Sequence, residues 1–87
     1  MVRIMLSPEQ CRAARGWLGW SQEDLSKRAS VGLSTLKDFE NGKRTPMRNN
    51  LEAIRHAIEA AGIRLTFADD GKPAGIGGET HAPKTGG

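Results

Sequence analysis

The chain has one cysteine, Cys11, among its 87 residues. That excludes an internal disulfide framework and a cysteine-rich zinc site. It has no apolar run approaching the roughly 20 residues that a membrane-spanning helix needs. The opening stretch MVRIMLSPEQ is interrupted by Pro8 and Glu9 too soon for a secretion signal, so a cytoplasmic location is expected. The inventory for catalysis is equally thin. There is no nucleophile–base pair, no metal-spaced cluster and no phosphate-cradling glycine loop. Neither an enzyme nor a cofactor or metal is therefore expected. His56 has no acid or cysteine cluster arranged around it, and His81 lies in a loose polar end. Asp69-Asp70 before Gly71 is the pattern of a turn rather than of a metal site.

What is present is a short, mildly basic chain of net charge +3. A chain of this length makes one small domain with a modest core, which dimerisation would reinforce. The charge suits a nucleic-acid partner without requiring one. Helix signals dominate. Ser7, Pro8 and Gln10 open a first helix to about Trp17, with Leu6 and Cys11 as its hydrophobic staple and Gly19 as its stop. Cys11, Ala14 and Leu18 share its apolar side, and Cys11 is read as a small buried hydrophobe. Trp17 and Trp20 are read as core aromatics.

The most informative stretch runs from Ser21 to Gly42. Ser21 with Asp24 forms a second capping box, flanked by Trp20 and Leu25, and opens a helix over about Gln22 to Ala29. Gly32 caps the next, about Leu33 to Asn41, with Val31 and Leu36 as its staple and Asn41-Gly42 as its stop. Two short helices joined by a three-residue break make a helix-turn-helix. In the second of them Leu36 and Phe39 share the core side, while Ser34, Lys37, Asp38 and Asn41 gather opposite. A basic loop, Lys43-Arg44-Thr45-Pro46, follows. A fourth helix begins near Arg48 or Asn49, where Asn49 and Glu52 read as a further capping box. Leu51, Ile54, Ile58 and Ala61 form its core stripe, and Gly62 ends it. Ile63 to Phe67 then alternates apolar and polar residues as a strand does. One strand is not stable alone. Its mate is either a return strand near Ala74–Ile76 or the same strand of a second subunit. From Gly77 onward no apolar residue is larger than Ala, and a disordered tail is expected.

With these helices in place, Leu18-Gly19-Trp20-Ser21-Gln22, Leu25, Val31, Leu36, Phe39-Glu40-Asn41-Gly42, Arg44-Thr45-Pro46 and Leu51 resemble the Cro/repressor-type (XRE-type) helix-turn-helix domain of phage and bacterial regulators. The likeness covers roughly Ser7 to Ala61. It implies a mainly α fold: a four- to five-helix lambda-repressor-like DNA-binding domain over residues 1–62. A strand or hairpin extension over 63–76 would serve dimerisation, with the tail over 77–87. It further implies that Leu33, Ser34, Lys37 and Asp38 face the bases, and that Gln22, Thr35, Asn41, Lys43 and Arg44 face phosphates. Arg15 and Glu40 match a charge pair tying the first helix to the third. Two positions depart from the pattern: Ser30 stands where the turn usually has Gly, and Gly32 stands where the cap is usually Ser.

The base-facing set is chemically spare. It lacks the Arg, Gln and Asn that make bidentate contacts to bases, which shifts weight to DNA shape. The expected function is a transcriptional regulator binding double-stranded operator DNA as a homodimer, with Ile63, Leu65 and Phe67 at the dimer interface. The alternative is a protein-binding module on the same fold, an antitoxin or antiactivator that sequesters a partner protein, since strand addition is a common binding mode.

Overall fold

The computed structural model describes residues 6–69 and 73–78. They form α1 (Pro8–Leu18), α2 (Gln22–Ala29), α3 (Leu33–Glu40), α4 (Arg48–Ala60), β1 (Ile63–Phe67) and β2 (Pro73–Gly78). Expectations for residues 1–5, for Asp70-Gly71 and for the tail from residue 79 lie outside the described residues.

Local chemistry sets the helix ends. At α1, Ser7 Oγ accepts from the Gln10 amide at 3.0 Å and Gln10 Oε1 accepts from the Ser7 amide at 3.1 Å. The same reciprocal pair joins Ser21 and Asp24 at the start of α2, both bonds at 3.0 Å. The bond from the Ser21 amide, and after it the Ser21 hydroxyl, hold the Asp24 carboxyl below the usual carboxylate range. Gly19 ends α1 at φ 73°, and Ser30 ends α2 at φ 57°. A left-handed conformation costs a side chain about 1–2 kcal/mol relative to Gly, so the turn carries that strain at Ser30. Gly32 opens α3 without a side-chain bond, and Gly42, at φ 75°, turns the chain away after it.

Three expectations are corrected here. The Asn49–Glu52 box does not form, because α4 starts earlier, with Met47 at its cap and no side-chain bond. Buried Pro46 and the extended Met47 (φ −60°, ψ 155°) bring the chain into helix at Arg48. Asn49 is thus already inside the first turn, where its side chain cannot cap. Ala61 is exposed rather than part of the core stripe, since it is the cap residue just before the turn at Gly62. Trp17 is 48% exposed. It sits about a quarter-turn off the Cys11–Ala14–Leu18 stripe, and a Cβ added at Gly78 would lie 3.3 Å from its ring. Its indole therefore packs beside the end of β2 instead of entering the core. Trp20 behaves as expected: it packs against the core, with the Arg28 guanidinium 4.3 Å from its ring centroid.

The core gathers Leu6, Cys11 and Ala14 with Leu25, Leu36, Phe39, Leu51, Ile54, Ile58 and Ile63. Ile63 carries that core into the sheet. The mate of β1 is the return strand of the same chain, antiparallel, with Ile63 opposite Gly78 and Leu65 opposite Ile76, and a bulge after Thr66. β2 continues through Gly78, so Gly77 and Gly78 are strand residues and not the beginning of a tail. Gln10 fastens this hairpin to α1. Its Nε2 donates to the carbonyls of Thr66 at 3.0 Å and Gly75 at 2.9 Å while its Oε1 holds the Ser7 amide. One buried side chain thus closes a helix cap and clamps both strands.

Candidate nucleic-acid interface

The helix-turn-helix is held rigid by a carboxylate. Glu40, the last residue of α3, has a side chain only 1% exposed. Such a charge is tolerated inside a protein only with full pairing. Arg15 of α1 provides a two-pronged partner, Nε and Nη2 donating to the two carboxylate oxygens at 2.8 Å each. Gln22 of α2 donates to Oε1 at 2.9 Å, and the Cys11 thiol donates to Oε2 at 3.1 Å. Burial pushes the Glu40 carboxyl up, but the bonds from Arg15, Cys11 and Gln22 outweigh it and hold it below the usual range. Burial, then the bond to Glu40, pushes the Cys11 thiol up, so it stays protonated. Arg12 adds a further tie, its guanidinium donating to the Glu40 backbone carbonyl at the C-terminus of α3. A cation there also complements the negative end of the helix dipole. The expected Arg15–Glu40 pair is present, therefore, within a larger hub that joins three helices.

That hub fixes which side of α3 meets solvent. Leu36, Phe39 and Glu40 are buried; Ser34, Lys37 and Asn41 are exposed; Leu33, Thr35 and Asp38 are half-buried. Lys43 and Arg44 are exposed in the loop beyond, and so is Arg48 at the head of α4. Of the residues named from the sequence, Ser34, Lys37, Asn41, Lys43 and Arg44 thus lie exposed on α3 and the loop after it, with Leu33, Thr35 and Asp38 at its half-buried margins. Gln22 is partly different. Its side-chain nitrogen is bonded to Glu40, so a phosphate would meet a side chain already oriented by the hub. Of the residues expected at a dimer contact, Ile63 is 2% exposed inside its own core, whereas Leu65 and Phe67 are half-buried.

Sequence reasoning missed several features of this region. Arg48 lies exposed at the head of α4, continuing a stretch from Lys43 that holds three cations and no acid. Cys11 and Gln22 were read one at a time, and nothing local showed that both point to Glu40. No helix among the described residues is long and apolar enough to cross a membrane. No group of three metal-ligating acids, histidines or cysteines occurs among them either.

A search of curated proteins gives no match. The family model for helix-turn-helix domains, however, matches residues 12–59, more than half of the chain, from within α1 to the last turn of α4. Arg15, Gln22 and Glu40 of the hub, all of α2 and the exposed face of α3 fall inside that match, and the chain belongs to the helix-turn-helix family, of the DNA-binding XRE type.

Proposed function

We propose that this protein is a transcriptional regulator of the cytoplasm that binds an operator as a homodimer, with α3 in the major groove. The observation that carries this reading is the division of α3. A buried ionic hub holds one side, and Ser34, Lys37, Asp38 and Asn41 are presented on the other, with Lys43 and Arg44 next in the chain. Lys37 and Asp38 supply one donor and one acceptor toward base edges, and Leu33 an apolar contact for a thymine methyl. Gln22, Thr35, Asn41, Lys43 and Arg44 face the sugar-phosphate strands, where they set register rather than sequence preference.

Two-fold pairing would place the recognition helices about 34 Å apart, matching half-sites about 10 base pairs apart. Leu65 and Phe67, half-buried in the monomer, are the residues proposed to meet the second subunit, with Ile63 behind them in the core. Two or three Lys or Arg contacts per subunit give a salt slope of roughly −4 to −5 for the dimer. Selection from random oligonucleotides tests the reading and yields the half-site, with affinity then measured across salt. Affinity that stays flat from low to moderate salt sinks it. Sedimentation at the concentrations that bind DNA tests the pairing separately, and a monomer on a single half-site removes the two-fold.

The second reading, an antitoxin or antiactivator holding a partner protein, is favoured by one feature. Among the described residues the sheet has two strands, so each has one edge without a strand partner there, where strand addition could occur. A pull-down that is insensitive to Lys37→Ala and Arg44→Ala, with no DNA shift, selects this reading over the first.

A further inference from the structure

We propose that Met47 is an apolar wedge for the minor groove, carried on the basic loop just past the recognition helix. The inference rests on the DNA-binding reading above and adds a contact that α3 does not provide. Met47 is 74% exposed, beyond even Trp17 at 48%. Its neighbour Pro46 is buried, so the extended chain alternates inward at Pro46 and outward at Met47. The side chain makes no capping bond at the start of α4. A long apolar side chain left in water is stabilised when it is buried, so a surface that covers it binds more tightly.

Charge selects that surface. From Asn41 to Leu51 there are three cations, Lys43, Arg44 and Arg48, and no acid. A second copy docked here across a two-fold would oppose these cations to themselves. A polyanion is attracted by all three. Geometry then narrows the place on the duplex. With α3 in the major groove, the chain leaves its C-terminal end past Lys43 and Arg44, across one phosphate strand. Beyond that strand lies the minor groove, about 6 Å wide. The chain turns at Gly42 and is anchored by buried Pro46, so Met47 is held close to the end of α3, within about 20 Å of Asn41. Methionine is unbranched and conformationally adaptable. Apolar side chains of this kind enter a base step from the minor groove, partly unstack it and bend the duplex. Pyrimidine–purine steps yield most easily. Sequence preference from such a step offsets the spare chemistry of Leu33, Ser34, Lys37 and Asp38.

The test uses DNA enriched by the wild-type protein. Affinity across salt, and bend by energy transfer between the duplex ends, are measured for wild type, Met47→Ala, Met47→Leu and Arg44→Ala. Met47→Ala is expected to fold normally, because the side chain is exposed and caps nothing. It is expected to lose about tenfold in affinity, as for a partly buried side chain, with the salt slope unchanged and the bend reduced. Met47→Leu retains most of both. Arg44→Ala instead lowers the slope by about 2, one contact from each subunit. Wild-type affinity and bend in Met47→Ala overturn the proposal. So does a loss that sedimentation without DNA traces to weaker self-association. A wild-type protein that enriches no DNA removes the parent reading as well, which distinguishes the two failures.

Discussion

Arg15→Met should reverse the sign of one part of this domain's pH dependence. In the native protein the Glu40 carboxyl is held below its usual range. A group whose folded pKa is depressed stabilises above its unfolded pKa, and that stability is lost as pH falls through the folded value. Removing Arg15 deletes both 2.8 Å bonds to Glu40. Burial, the largest influence on this carboxyl, then acts against only Cys11 and Gln22, and the folded pKa rises above the unfolded one. The stabilisation now exists below the unfolded pKa and is lost as pH rises through the folded value. Size follows from exposure. The Glu40 side chain is 1% exposed and Arg15 20% exposed. Losing Arg15 therefore strands a charge that water cannot reach, a class of change that costs about 3–5 kcal/mol. Near pH 7 the expected loss is about 3 kcal/mol, or roughly 12–24 °C in Tm for a domain of this size. Near pH 4 it shrinks, because the native Glu40 of the variant is by then protonated. Urea unfolding of both proteins from about pH 4 to pH 7 gives the difference curve, from which groups common to both drop out. A difference that is constant with pH would show that Glu40 does not depend on Arg15 for its charge.

Other changes have equally direct readouts. Glu40→Gln, which leaves the partly exposed Arg15 able to hydrate, should destabilise less than Arg15→Met at neutral pH, by about 2 kcal/mol in thermal unfolding. Ser30→Gly relieves the φ of 57°. With the added chain entropy of Gly offsetting part of the gain, it should raise stability by about 0.5–1 kcal/mol in urea and leave DNA affinity unchanged. Gln10→Glu puts a carboxylate oxygen where Nε2 now donates to two strand carbonyls. Amide exchange should accelerate through residues 63–78 while α2 and α3 stay protected, and uniform exchange across the chain would contradict the clamp.

The helix boundaries were legible because the information is local. Ser7 with Gln10 and Ser21 with Asp24 lie three residues apart, and each pair finds its partner without help from the rest of the chain. Asn49 and Glu52 have the same spacing, yet Pro46 upstream starts the helix too early for them. Trp17 shows a second limit: a large apolar residue a quarter-turn from the stripe stays half in water. β2 was hardest to read. Its Pro-Ala-Gly-Ile-Gly-Gly carries little strand preference, and its pairing is decided by what it lies against. At Gly78 an added Cβ would come within 3.1 Å of Ile63 Cδ1 and 3.3 Å of the Trp17 ring, so the glycine is there for close approach. The candidate interface followed a similar division. Its exposed face came from periodicity and its Arg15–Glu40 pair from family likeness, whereas the bonds from Cys11 and Gln22 to Glu40 depend on tertiary packing alone.

The clamp at Gln10 also bears on the order in which the chain matures. Its bonds span 56 and 65 residues of sequence, from the first helical turn to the last strand. During synthesis α1 emerges early, yet Gln10 finds its two carbonyls only after β2 has been made. Closing so long a loop is slow compared with forming the neighbouring helices. The helix-turn-helix can therefore assemble around Glu40 first, with the hairpin joining as a late step. A truncation after Gly62 would leave Gln10 Nε2 without its two carbonyls and the core without Ile63. Such a fragment is a mimic of the nascent domain, not a clean monomer of the finished one.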